Sequence, residues 1–145
     1  MPYVAANYLG NPKAPPGKWA CTRTSSSGPY DQAPPANKTG NPDYCGQCVS
    51  YVTTVCPAIP VNTGAWKQGG QVKGNTTIRA GTAIATFDGN AKYSGHAAIY
   101  ESQTSEGINV VDQWVTPPAK AIHKRMLRFG AYGNANNGDN FYIID

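Results

Sequence analysis

Charge is scarce in this chain. Twelve Lys and Arg and eight Asp and Glu are spread over 145 residues, leaving a formal charge of +4. The cations are scattered apart from Lys120, Lys124, Arg125 and Arg128. No basic stripe interleaved with aromatics is present, which argues against a nucleic-acid partner. A mild positive excess suits a polyanionic surface such as a bacterial wall. No apolar run approaches the ~18 residues that a membrane span needs. The opening MPYVAANYLG has no basic n-region and no apolar h-region, so it does not read as a signal peptide. The expectation is a protein that stays in the cytosol, leaves by a route that reads no such signal, or is a mature form with an added Met. Internal repeats are absent. Sixteen glycines and twelve prolines occur without collagen-like period, as in a loop-rich globular domain. Histidines number two and cysteines four, so chemistry at either is confined to few places.

The length suits one domain, expected to span residues 1–145. Residues 1–43 show neither helical nor strand period and read as an irregular arm; the core is expected over 44–145. N-x-T sequons stand at Asn37 and Asn75, acceptors only in a eukaryotic secretory pathway. Cys45, Cys48, Val49, Val52, Val55 and Cys56 share one face at helical spacing, and Pro57 stops the pattern. A helix is predicted there. From Ile78 the texture changes to short apolar runs split by glycine-bearing turns: IRAGTAIATF, GHAAIYES and GINVVDQW. These predict a three-stranded antiparallel meander, with AIHKRMLRF and FYIID as further strands. One helix followed by strands predicts an α+β fold.

The cysteines admit three chemistries. CGQC has the spacing of a thioredoxin-like redox pair, but the preceding GNPDY is no strand, so the βαβ context of such a site is missing. Four thiolates from Cys21, Cys45, Cys48 and Cys56 lack the paired knuckles of a zinc site. Cys48 and Cys56 also lie roughly 12 Å apart along a helix axis. In the third chemistry Cys48 is a nucleophile, its pKa lowered at a helix start. The base must then come from elsewhere. His96 opens a predicted strand directly after Gly95, whereas His123 sits among Lys120, Lys124 and Arg125 and reads as a solvated surface residue. Asp112, near the end of the next strand, shares a face with Ile108, Val110 and Trp114. A carboxylate on that face is costly unless paired, which makes it the candidate to orient His96. Gln113, on the opposite face, is the weaker alternative.

Taken together, GQCVSYV, IRAGTAIATF, SGHAAIY and VVDQW resemble the Cys–His amidohydrolases of the NlpC/P60 and CHAP type. They are closer still to the second family of type VI secretion amidase effectors and the homologues that arthropods acquired from bacteria. The resemblance covers residues 44–114 best, with GAWKQGGQVKGN also in the pattern. It implies a papain-like fold and hydrolysis of peptidoglycan stem peptides at the meso-diaminopimelate–D-alanine cross-link. It implies Cys48 as nucleophile, His96 as base and Asp112 as third member, with no cofactor and no metal. Many phage CHAP domains carry an Asn two residues after the acid; here that position is Trp114. The Cys48 N–H is one expected oxyanion donor. Gln47, Tyr44, Gln113 and Trp114 are the candidates for a second donor or for substrate contact. With Cys48 free, one disulfide at most can form among Cys21, Cys45 and Cys56, and a Cys21 pairing would pin the arm to the nucleophile helix. The implied partners are bacterial peptidoglycan and, for a bacterial effector, a cognate immunity protein. The implied setting is extracellular or a target cell's periplasm, and the implied state is a monomer. Two alternatives stay open: a thioredoxin-like oxidoreductase using Cys45 and Cys48, and a non-catalytic wall-binding module.

Overall fold

In the computed structural model, which describes residues 2–33, 45–116 and 118–145, the short apolar runs of the second half pair into one antiparallel sheet. Its strands are β3 (Gln68–Gln71), β4 (Ala83–Phe87), β5 (Tyr93–Gln103), β6 (Gly107–Trp114), β7 (Lys120–Arg128) and β8 (Phe141–Ile144), and their spatial order is β3-β8-β4-β5-β6-β7. The expected meander is β4-β5-β6, which β7 extends. The C-terminal run returns as β8 between β4 and β3. The class is α+β, as the run of strands after one helix predicts.

Successive side chains of a strand point to opposite faces. One face carries Ala83, Ala85, Ala97, Ile99, Val111 and Ile144, and the helix α1 (Cys48–Val55) packs on it through Tyr51, Val52 and Val55. Three alanines on that face let the helix approach closely. The other face carries Ile84, Ala98, Tyr100, Ile108, Val110, Leu127 and Phe141. His96 and Asp112 continue this second apolar row, so the two polar side chains lie at its end.

The helix is shorter than predicted. It begins at Cys48, because Gly46 takes a left-handed φ of 92° and Cys45 is held in a bridge with Cys21. It ends before Cys56, where the following Pro57 disfavours helical backbone. Over its described residues, 2–33, the arm is mostly irregular, with a short ribbon of β1 (Trp19–Ala20) and β2 (Tyr30–Asp31). Backbone pairing ties it to the sheet. Ala5 and Tyr3 exchange backbone hydrogen bonds with Gly81 and Ala83, and Gly17 and Lys18 do so with Ile122. Among the described residues no helix is long and apolar enough to cross a membrane.

Candidate active site

Cys48 is the first residue of α1, preceded by Gln47 in extended backbone. The first N–H groups of a helix have no partner within it, and its dipole favours negative charge there. The loop entering the helix is held from three sides. Gly46 N donates to Ala20 O at 2.9 Å, and the buried Gln113 amide donates to Gln47 O at 2.7 Å. A disulfide joins Cys45 to Cys21. Cys48 is therefore positioned by contacts that spare its own side chain, which is a free and partly exposed thiol.

His96 is delivered by an irregularity in β5. Ala85 pairs with Ala97 and Phe87 pairs with Tyr93, so β5 carries two more residues than β4 across this step. Extra residues bulge a strand and re-aim its side chains. Gly95 in the bulge has φ of 112°, and a Cβ there would come within 2.5 Å of Thr86 Oγ1. The buried Thr86 hydroxyl fastens the bulge. It accepts the His96 N–H at 2.9 Å and donates to the Ser94 carbonyl.

So placed, His96 Nε2 lies 2.7 Å from Asp112 Oδ2. The imidazole also faces the Cys48 thiol, and the two groups shift each other's charge. The Tyr93 hydroxyl stands 3.4 Å from Cys48 Sγ. Asp112 is fully buried and has a second partner, Arg125, whose Nη2 and Nε reach Oδ2 at 2.8 and 2.9 Å. Trp114 walls this group: its ring meets His96 edge-on with centroids 6.3 Å apart, and Arg125 lies 4.5 Å over its face.

The charges follow from these contacts. Burial opposes a thiolate at Cys48, but the charge and hydrogen bond of His96, the Tyr93 hydroxyl and the Ala97 N–H outweigh it and hold the thiol below its ordinary range. Burial opposes an imidazolium at His96, yet the Cys48 thiolate and the bond to Asp112 raise its pKa to about 9. Burial likewise opposes ionisation of Asp112, and hydrogen bonds from His96 and Arg125 carry its pKa below the usual carboxylate value. Burial, followed by the charge of Cys48, pushes the Tyr93 phenol up, so it remains a donor facing the sulfur. The arrangement is equipped for a thiolate–imidazolium pair beside a fixed carboxylate.

Cys48, His96 and Asp112 are thus brought together, and Trp114 is beside them. Other expectations need correction. Gln113 does not face the cleft. Its Oε1 accepts from Ala20 N at 2.8 Å while its Nε2 binds Ala20 O and Gln47 O, so it serves as a clamp and not as an oxyanion donor. The Trp114 N–H is used by Pro118 O at 2.9 Å, which leaves the ring as an apolar wall. His123 is not a solvated surface residue: it is half-buried, meets the Trp114 ring at 5.2 Å and lies 3.9 Å from Asp112 Oδ1. Gln47 sits at the helix entrance; Tyr44 and Asn37 lie outside the described residues. The Cys45–Cys48 redox pair and the four-thiolate zinc site are overturned, because the Cys45 sulfur is bonded to Cys21. Cys56 is buried, and burial raises its thiol to about 11. Sequence reasoning missed Tyr93, Thr86 and Arg125. The last was legible only as one of several cations, and its strand spacing from His123 was the unused signal.

The family model described as domesticated amidase effector 2 matches residues 20–144. A protein of Ixodes scapularis named domesticated amidase effector 2 is 48% identical over 104 residues, covering 68% of this chain and 70% of that one. A type VI secretion amidase effector 2 protein of Salmonella typhi is 32% identical over 124 residues, covering 74% of this chain and 89% of that one. The solved structure of a type 6 secretion amidase effector 2 superposes with a TM-score of 0.65 at 27% identity, covering 99% of this chain and 94% of that one.

Proposed function

The chain belongs to the domesticated amidase effector 2 family, and from that premise we propose that it is an antibacterial peptidoglycan amidase of Cys–His–Asp mechanism. The bond cut is the amide between meso-diaminopimelate and D-alanine in the wall cross-link. The arrangement is read as papain-like, with the nucleophile on a helix N-terminus and base and acid on adjoining strands. The observation that carries the reading is the set Cys48, His96 and Asp112 at one end of the sheet, a partly exposed thiol beside a buried His96–Asp112 contact of 2.7 Å.

The thiol proton of Cys48 passes to His96, giving a thiolate–imidazolium pair. The sulfur attacks the amide carbonyl, and the oxyanion that forms is met by the Cys48 N–H at the helix start. His96 gives its proton to the leaving amine as the C–N bond breaks, leaving a thioester on Cys48. Neutral His96 then takes a proton from water, whose oxygen attacks the thioester and releases the acid. Asp112 orients the ring and stabilises the imidazolium. The setting is the target cell's periplasm or an extracellular space, where a mildly cationic protein meets an anionic wall. A non-catalytic wall-binding module would have no use for a depressed thiol pKa.

Cys48→Ala should abolish release of soluble fragments from purified sacculi while far-UV circular dichroism stays that of the wild type. Retained hydrolysis in that variant would sink the cysteine mechanism.

A further inference from the structure

Asp112 needs a partner that His96 cannot always be. A buried carboxylate without a counter-charge is costly. In the cycle above His96 is charged in the resting pair but neutral from amine departure until water attacks. Over that interval Asp112 faces an uncharged ring. Arg125 cannot lose its proton. Its Nε reaches Oδ2 at 2.9 Å and Oδ1 at 3.2 Å, and its Nη2 reaches Oδ2 at 2.8 Å.

The guanidinium is itself held. Its Nη1 donates to Asn136 Oδ1 at 2.9 Å, and its plane lies over Trp114. Asn136 belongs to the segment 129–137 between β7 and β8. The same segment approaches the β5 bulge, where the Asn134 amide is 3.0 Å from a Cβ built at Gly95. One loop thus touches both the arginine behind the acid and the bulge that carries the base.

We propose that Arg125, braced by Asn136 and Trp114, is a positioning residue that clamps Asp112 opposite His96 throughout the reaction. The inference rests on the Cys48–His96–Asp112 reading and adds to it a fourth member that touches no substrate. It accounts for two features at once. The carboxylate stays an acceptor when His96 is neutral, and the fork fixes its plane, which a point charge would not. Arg125 Nη2 also lies 3.3 Å from His96 Nε2, so the guanidinium sits against both members of the pair it holds. The groups facing Asp112 are His96 from β5, Arg125 and His123 from β7, and Tyr51 from α1, which senses its charge.

The test uses the full chain, purified sacculi and iodoacetamide, with Arg125→Met, Arg125→Lys and Cys48→Ala. An opposite charge beside a carboxylate lowers its pKa by about one to three units. Its loss in Arg125→Met should raise the pKa of Asp112 by about that much, and the acid limbs of kcat and of Cys48 alkylation should move up with it. Turnover should fall roughly tenfold or more with KM little changed, the mark of an interaction made during chemistry. Arg125→Lys should keep the acid limb near its wild-type position while kcat still falls. A folded Arg125→Met with wild-type kcat and an unmoved limb overturns the proposal. Should Arg125→Met not fold, Arg125→Lys decides: lowered kcat supports the clamp and wild-type kcat overturns it. If neither folds, the arginine serves the edge strand and the proposal is overturned. Activity persisting in Cys48→Ala would instead sink the underlying reading, so the two failures are distinct.

Discussion

At the scale of single residues, the site is a balance of burial against pairing. Cys48, His96 and Asp112 all pay desolvation, and each is brought to its charged form by its neighbours. The His96 shift has a definite sign. Its pKa in the folded protein, about 9, lies above the ordinary 6.5, so its pairing stabilises the fold fully below pH ~6.5 and is lost as pH rises through about 9. Turnover should therefore decline above about pH 9, when the imidazolium that protonates the leaving amine disappears. Asp112 behaves oppositely: its pKa is depressed, so its contribution is present at neutral pH and lost as pH falls through and below the ordinary carboxylate range. Iodoacetamide should alkylate Cys48 well below the range of an ordinary thiol. In Asp112→Asn the ring keeps a hydrogen-bond acceptor but loses its charge partner. The alkylation onset should then move to higher pH and turnover should fall roughly ten- to a thousandfold, or about 1.4 to 4 kcal/mol. Wild-type turnover with an unmoved onset would make Asp112 a strand-end residue only.

At the scale of elements, the β5 bulge is the device that aims His96 at Asp112, as its proposed role of base requires. Gly95 is required there on two grounds, a φ of 112° and the 2.5 Å approach of Thr86 Oγ1 to any Cβ. Strain of this kind costs on the order of 1–3 kcal/mol. Gly95→Ala should lower the melting temperature and cut activity by more than its effect on folding explains, because His96 hangs from the same turn. Full activity in a folded Gly95→Ala protein would mean that the bulge does not set the base. The elements differ in how legible they were. Strands β4 to β8 announce themselves by apolar runs between turns, and β6 put Asp112 on the face of Ile108 and Val110, as its alternation required. Strand β3 does not: Gln68–Gln71 has no apolar period, and it exists because β8 offers an edge that Gly69 can approach, with a Cβ there only 2.8 Å from Ile143 O. The start of α1 was misread because the cysteine spacing continues the helical pattern through Cys45, while the disulfide and the left-handed Gly46 end it. Arg125 was hidden for another reason. A cation on an edge strand looks solvated until the loop that returns over it is known.

At the scale of the whole molecule, the arm, the nucleophile helix and the sheet are joined beside Cys48. Three candidate cysteines allow three pairings, and composition does not choose among them; only the fold brings Cys21 next to Cys45. The bond spans 24 residues, and loop-closure entropy assigns a link of this length about 3–4 kcal/mol. The double variant Cys21→Ser with Cys45→Ser should melt well below the wild type, and reductant should lower the wild type's melting temperature but not the variant's. An unchanged melting temperature would mean that the arm is held by its backbone contacts alone. The proposed site is legible in the sequence to the extent that Cys48, His96 and Asp112, expected together, lie together, while the frame around them is long-range and becomes visible only in three dimensions. The most direct test of the account is a mass spectrum of peptidoglycan fragments, released by a glycan-cleaving enzyme, before and after treatment with the wild-type chain. The account predicts that cross-linked dimers joined through meso-diaminopimelate and D-alanine convert to monomers in the wild-type digest and persist with Cys48→Ala. Dimers that survive the wild-type protein, or that disappear equally with Cys48→Ala, would contradict it.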